Sequence, residues 1–334
     1  MLSSFSLLDR LNDPAIFQGN LRKRRYFEGW YFKQSNLEGD VVLSIIPGVS
    51  LAEEDKHAFI QLFDGTSGLA YYEKFEIEEF KPGHEPFTIK IGDNVFSLSG
   101  VELDINGKVS AKGLLRYSDL SLFRGGLGMR GVMGWYGFVP FMETYHGLIS
   151  MDHVVDGSVV INGDERMFHG ARGYIEKDWG SSFPSSWVWL QANCFNERGV
   201  SLMVSVAVIP WLRSSFVGHL AIFLHRGVVI NLSTYNGGKV TRLEKTDTGV
   251  SMRVENMRYS LDIWADSGRF VDLKSPKMGV MKGRTAESLS GFVKVSVVDK
   301  KGKSTLFSGA STGLGLETMD DEDELKKGVT SSMG

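Results

Sequence analysis

The 334-residue sequence predicts a mostly β protein made of two related halves, each an antiparallel β-barrel or strongly curved sheet, with few short helices. Three observations lead there. Short β-branched and aromatic runs recur between turns, in a chain with 39 glycines and only 8 prolines. Several runs alternate apolar and polar residues, as an antiparallel sheet with one buried face requires. Two pairs of segments also match in the same order, WYFKQSN (Trp30 to Asn36) with WVWLQAN (Trp187 to Asn193) and HAFIQLFDG (His57 to Gly65) with HLAIFLHRG (His219 to Gly227), which indicates an internal duplication.

The best helical signal is at the start, SLLDRLNDP (Ser6 to Pro14). Strands follow at DVVLSIIPG, HAFIQLFDG and the long FTIKIGDNVFSLSGVELDI. In the second half they fall at SLMVSVAVIP, HLAIFLHRGVVINL, SLDIWAD and GFVKVSVVDKKGKSTLFSG. FDGTSG, DINGK and DKKGK read as hairpin turns, because their glycines reach the positive φ that tight turns need. Both Trp-led segments pass through a Gly-containing polar turn into an apolar strand ending in Ile-Pro, at Pro47 and Pro210. A Trp in the opening strand of each unit resembles lipocalin-type barrels, where a Trp plugs one end. The Gly-rich FRGGLGMRGVMGW (Phe123 to Trp135), ahead of FPSSW (Phe183 to Trp187), suggests the boundary. It gives an N-terminal lipocalin-like β-domain over 1–135 and a C-terminal one over 136–317. Residues 318–334, TMDDEDELKKGVTSSMG, are acidic and then small and polar, and read as a disordered tail.

Composition excludes several function classes. A net charge of -3 and a pI near 6.2 offer no basic surface for nucleic acid. The single cysteine, Cys194, rules out an internal disulfide and a multi-cysteine metal cluster, and suits a reducing compartment. MLSSFSLLDRLNDPAIF lacks a basic start, a sustained apolar run and a small-residue cleavage site. The longest apolar stretch, VSLMVSVAVIPWL, is shorter than the roughly 20 residues a spanning helix needs and contains Pro210. A cytoplasmic protein with at most a peripheral membrane contact is expected. GLGMRG (Gly126 to Gly131) has dinucleotide-fingerprint spacing without a strand–helix context, and reads as a crossing loop. No histidines stand at H-x-H or H-x-x-x-H spacing, and no nucleophile elbow is present, so neither a metal nor another cofactor is expected.

What remains is a set of ionisable groups among aromatic rings, in RRYFEGWYFK and GYIEKDWGSSFPSSWVWLQANCF. On extended strands Glu28, Trp30 and Phe32 share one face, as do Trp187 and Trp189, and Glu176 and Asp178; Lys177 and Trp179 point the other way. One reading is structural, a Trp core plug capped by ion pairs. The other is a cavity lined by Trp30, Trp179, Phe183, Trp187 and Trp189 with a carboxyl group at one end. Burial keeps such a carboxyl protonated near neutral pH. Each aromatic face stabilises a nearby cation by about 0.5–2 kcal/mol. Acid and aromatic walls together suit protonation of a carbon–carbon double bond and capture of the carbocation by an oxygen, which Lys177, Lys33 or a Tyr would orient.

These residues resemble the tocopherol cyclase family in three blocks: RYFEGWYFK (Arg25 to Lys33), GWYGFVPFMETYHGLISMDH (Gly134 to His153) and YIEKDWGSSFPSSWVWLQANCF (Tyr174 to Phe195). The resemblance, which extends to carotenoid hydratase-type relatives, implies paired lipocalin-like domains. It also implies an isomerase of the intramolecular lyase type that closes a hydrophobic prenylated quinol to a chromanol without a cofactor. Carried onto this sequence, it implies Glu176, Asp178, His146, Lys177 and Tyr145 as catalytic groups. Glu28, Trp30, Tyr31, Lys33, His153, Trp179, Phe183, Trp187, Trp189, Gln191 and Asn193 would bind substrate. Asp178 replaces the family's Asn, which makes Glu176 the expected acid; Gly137 replaces a Pro and Glu143 a Cys-like position. Two other readings compete: a hydratase of an isoprenoid alkene, and a lipocalin-like protein that binds an isoprenoid or lipid without chemistry. Pairing of Glu176 with Lys177 away from the aromatic pocket would favour the binding protein.

Overall fold

Alternating side chains build two antiparallel sheets of eleven strands each. The computed structural model describes residues 13–84, 86–124, 131–140, 142–211, 214–318 and Leu325. Most of the predicted N-terminal helix, residues 125–130 of the Gly-rich crossing and nearly all of the predicted tail lie outside the described residues. Helical structure among the described residues is confined to three short 3-10 segments, Ile77–Glu79, Gly131–Phe138 and Thr234–Asn236, apart from a single helical residue at Leu325.

Both sheets follow one plan. In the first, Phe27–Ser35, Val42–Ala52, Asp55–Asp64 and Leu69–Phe75 form a meander, and the opening strand pairs on its other side with the unit's last strand, Asp164–Gly180. In the second, Trp187–Ala192, Ser201–Trp211, Ser214–His225 and Val228–Asn231 form the same meander, and the opening strand pairs with Ser304–Thr318. The duplication is therefore visible in topology. Among the described residues no strand pairing joins the two ends of either path.

The sheets part between Gly180 and Trp187, later than the boundary expected at 135/136. Thr144–Ile161 pairs with Ser110–Ser118, and Asp164–Gly180 with Phe27–Ser35, so both belong to the first sheet. The Gly-rich stretch before residue 135 falls between two paired strands of the first sheet, Ser110–Ser118 and Thr144–Ile161. At the other end, the last strand runs to Thr318, the first residue of the expected tail.

Each sheet encloses its own apolar core, one around Trp30, Phe32 and Ile175, the other around Leu190, Val204 and Val295. A third cluster, including Tyr31, Trp187, Trp189 and Met203, fills the seam between the sheets. Strand alternation explains the division. In Phe27–Ser35, Trp30 and Phe32 face the first core while Tyr31 faces the seam; in Trp187–Ala192, Val188 and Leu190 face the second core while Trp187 and Trp189 face the seam. The matched Trp-led segments thus present their aligned aromatics to opposite sides, and only Trp30 acts as a core plug, its Nε1 donating to the Ala15 carbonyl at 2.7 Å.

Candidate active site between the two sheets

A cavity of about 190 Å³ lies in the seam. Phe183, Trp187, Trp189, Tyr31, Met133 and Met142 supply apolar wall, and Glu176, Asp178, His146, Glu287 and Glu317 supply the charge. Glu176 and Asp178 reach it from one face of Asp164–Gly180, while Lys177 between them points into the first core, as strand alternation demands. Glu287 arrives through a phase change. The strand Val280–Asp299 breaks register between Ser288 and Gly291, so Thr285 and Glu287 face the cavity before the break while Val293, Val295 and Val297 face the second core after it.

His146 sits between two carboxylates. Its Nδ1 lies 2.8 Å from Asp178 Oδ1 and its Nε2 3.2 Å from Glu176 Oε2, the latter without hydrogen-bond alignment. Burial alone would lower its pKa, but Glu176 and Asp178 outweigh burial and hold the imidazole well above the usual histidine range. The Tyr174 hydroxyl and, at 3.4 Å, Trp189 Nε1 also donate to Glu176 Oε2. The ligand atoms of His146, Glu176 and Asp178 lie within 4.8 Å of one another, close enough to hold a metal ion. Histidine spacing in the sequence does not reveal this set, because it joins one His to two carboxylates on the neighbouring strand.

Glu287 and Glu317 are direct partners across neighbouring strands. Two carboxylates in that relation repel, so at least one proton is retained near neutral pH. Burial pushes Glu287 up to about 8 against the opposing pull of its Tyr31 hydrogen bond and of Lys33. Tyr31 donates to Glu287 Oε1 at 2.6 Å, and Oε2 has no hydrogen-bond partner among the described residues. Burial and then Glu287 itself raise Glu317 well above the carboxylate range, while Trp187 Nε1 donates to Glu317 Oε2 at 2.7 Å.

Of the residues expected from sequence, Tyr31, His146, Glu176, Asp178, Phe183, Trp187 and Trp189 meet at the cavity. Glu28 and Lys177 do not. Lys177 Nζ lies 2.8 Å from Glu28 Oε1 and donates to the Ile16 carbonyl, and Glu28 also accepts from the Gln18 and Gly19 amides and the Tyr26 hydroxyl. That buried pair is fully satisfied inside the first core, so Lys177 cannot orient a substrate hydroxyl. Trp179 faces the same core, under Lys177 Nζ at 4.6 Å and stacked on Tyr145 at 5.5 Å; the Tyr145 hydroxyl donates to the Val139 carbonyl.

Lys33, Gln191 and Asn193 lie in the seam away from the cavity, whereas His153 faces the first core, its ring 4.4 Å from that of Tyr117. Lys33 Nζ donates to Gln191 Oε1 at 2.7 Å, and burial lowers it to about 8. Asn193 donates to the Gly173 carbonyl and to Asp152, tying the second sheet to the first. His153 meets Ser150 Oγ, and burial lowers it to about 3. Sequence reasoning missed Glu287, Glu317 and Tyr174. The one available signal for the two glutamates was their setting among small and apolar residues, in TAESLSGF and GLGLET.

The sequence model of the tocopherol cyclase-like family matches residues 124–319. A chloroplastic tocopherol cyclase of Zea mays is 33% identical over 85 residues, which is 25% of this chain and 18% of that protein. A protein of Oryza sativa subsp. japonica named "probable tocopherol cyclase, chloroplastic" is 32% identical over 85 residues, again 25% of this chain and 18% of its own length. The chain therefore matches less than a fifth of the length of these plant relatives. Among solved structures, one assigned to AttH of Nitrosomonas europaea superposes with a TM-score of 0.52 at 16% identity, covering 95% of this chain and 97% of that one. Kievitone hydratase of Nectria haematococca gives 0.51 at 12% identity, covering 96% and 94%. These structural likenesses bear on the fold, the paired lipocalin-like arrangement expected from the sequence.

Proposed function

Because the chain belongs to the tocopherol cyclase-like family, whose sequence model spans more than half of it, we propose that the cavity binds a prenylated quinol or phenol and closes it to a chromanol by acid catalysis. The observation that carries the reading is the Glu287–Glu317 pair, two carboxyl groups face to face in an aromatic cavity with Glu287 pushed up to about 8. A carboxyl group held protonated at neutral pH beside aromatic rings is a general acid matched to alkene protonation.

Glu287 gives its proton to the less substituted carbon of the prenyl double bond, and positive charge develops on the tertiary carbon. The rings of Trp187, Trp189 and Tyr31 stabilise that charge in place of water. The phenol oxygen attacks the tertiary carbon, a carbon–oxygen bond forms, and the phenol proton passes to a carboxylate. One proton enters and one leaves, so substrate and product are isomers. We assign the acid role to Glu287 rather than Glu176, because Glu176 Oε2 already accepts from Tyr174 and Trp189 and faces His146. Lys177 pairs with Glu28 in the core while Glu176 stays at the cavity beside His146, and the carboxylate kept there supports chemistry over binding alone.

The test is incubation of the purified protein with 2,3-dimethyl-6-phytyl-1,4-benzoquinol, and with shorter prenyl analogues, followed by chiral chromatography. A single-enantiomer chromanol above the protein-free control supports the reading. A tertiary alcohol would mean that water captures the cation, and the activity would be hydration. No product from any analogue between pH 5 and pH 8 would overturn both.

A further inference from the structure

A line of aromatic rings runs from the cavity wall to the surface. Tyr136 and Phe216 both line the cavity and stack with ring centroids 5.8 Å apart. Trp135 stacks on Tyr136 at 3.9 Å, and Trp211 meets Tyr136 and Phe216 edge-on at 6.3 and 6.0 Å. At the outer end Trp135 is 46% exposed and Phe138, three residues on, is 51% exposed. Both project from the short helical segment Gly131–Phe138, whose other side buries Val132 and Met133 in the seam. The segment kinks at Gly134, with φ of 57°, and a Cβ there would stand 2.7 Å from the Tyr235 ring, so its path is set by close packing.

We infer that this rim seats the protein on a lipid bilayer, and that apolar ligand passes between the membrane and the cavity along these rings. Trp is the side chain that gains most at a bilayer interface, where its flat apolar body is desolvated while its N–H stays wet. Two exposed rings attach through apolar insertion, which suits a chain whose net charge is only -3. Continuity with the cavity argues for lipid as the occupant: a protein partner on this rim would cap the aromatic path, whereas a bilayer both covers it and supplies the ligand. The apolar nature of the ligand rests on the proposed function; attachment itself is measured without substrate.

The test is sedimentation of the full chain with phosphatidylcholine vesicles, together with quenching of tryptophan fluorescence by bromine-labelled lipid. The wild type should pellet with vesicles and be quenched, and Trp135→Phe should lose most of the quenching while remaining folded by near-UV circular dichroism. Trp135→Ser with Phe138→Ser should lower partitioning by roughly tenfold or more. Trp264→Ser, which removes an exposed Trp from the second sheet, should leave it unchanged. A wild type left in the supernatant, or a double variant that partitions like the wild type, overturns the inference. A double variant that converts a dimer to a monomer in vesicle-free buffer overturns it too, by making a second copy the occupant. Vesicle binding without chromanol formation would sink the proposed function alone, and chromanol formation without vesicle binding would sink the rim alone.

Discussion

Glu287→Gln separates the acid's role in catalysis from its cost to the fold. The amide keeps the carboxyl's shape and leaves an oxygen for the Tyr31 hydroxyl, but it cannot ionise or donate a carboxylic acid's proton. Burial lifts Glu287 from 4.5 to about 8. Between those values the folded protein holds a proton that the unfolded chain releases, so wild-type stability falls as pH rises through the window and levels off above about pH 8. Each pH unit inside the window costs about 1.4 kcal/mol. From pH 5 to pH 7 the wild type should therefore lose about 2–3 kcal/mol relative to Glu287→Gln. Urea unfolding of both proteins at pH 5, 6, 7 and 8 measures the gap. The variant should gain its advantage at neutral pH while chromanol formation drops by roughly a hundredfold or more, the usual worth of a general acid. A gap independent of pH would mean that Glu287 is ionised in the fold, and undiminished turnover would remove it from the acid role.

Other substitutions divide along the same line between seam and core. His146→Gln should cost about 2–3 kcal/mol, somewhat below a fully buried pair because Asp178 is partly exposed. Since the folded His146 pKa is raised, that contribution is whole below about pH 6.5 and lost as pH climbs through the higher folded value, so thermal unfolding at pH 6 should show a larger deficit than at pH 9. Lys177→Met strands Glu28 in the first core and should cost about 3–5 kcal/mol with turnover per folded molecule retained; adding Glu28→Gln should recover part of the loss in denaturant titration. Trp189→Phe removes a donor to Glu176 and part of the wall, and should lower kcat about tenfold with little loss of stability. Trp30→Phe should do the reverse, costing about 1–3 kcal/mol and leaving kcat alone.

Strand alternation was legible in the sequence and correctly separated Glu176 and Asp178 from Lys177, and grouped Trp187 with Trp189. Which face meets the cavity was not legible. A strand with one wet side shows its orientation, but Phe27–Ser35 is buried on both: Trp30 and Phe32 look into a core, and Tyr31 and Lys33 into the seam. Period-two patterning has no polar side to point outward there, so Trp30 and Glu28 were as plausible for the site as Tyr31. Glu287 was hidden for a different reason. The register break after Ser288 reverses the phase of a 20-residue strand, and a pattern carried back from Val293, Val295 and Val297 assigns Glu287 to the wrong core. The duplication was read from motif matches whose aligned residues face opposite ways; shared topology, rather than those matched side chains, supports it.

The placement of the site between two complete cores explains how an apolar cavity can hold four carboxyl groups. A buried unpaired charge costs several kcal/mol, which a core cannot absorb where its own packing must supply the stability. Here each sheet keeps an apolar core on one face, and the polar groups sit on the opposite faces, where the two sheets meet. The stretch Glu176, Lys177, Asp178 shows the device in three residues. The first and third turn to the seam and hold His146 between them, while the middle one turns to the core, where Glu28 neutralises it and its ammonium lies over the rings of Trp30 and Trp179. Three adjacent charges beside a Trp are therefore two separate electrostatic problems solved on opposite faces of one strand. Reversing the order of neighbours tests that division. Exchanging Glu176 with Lys177 would put an acid against Glu28 and an ammonium against His146, and should abolish folding, whereas Glu176→Gln leaves Lys177 paired and should remove turnover from a protein that still folds.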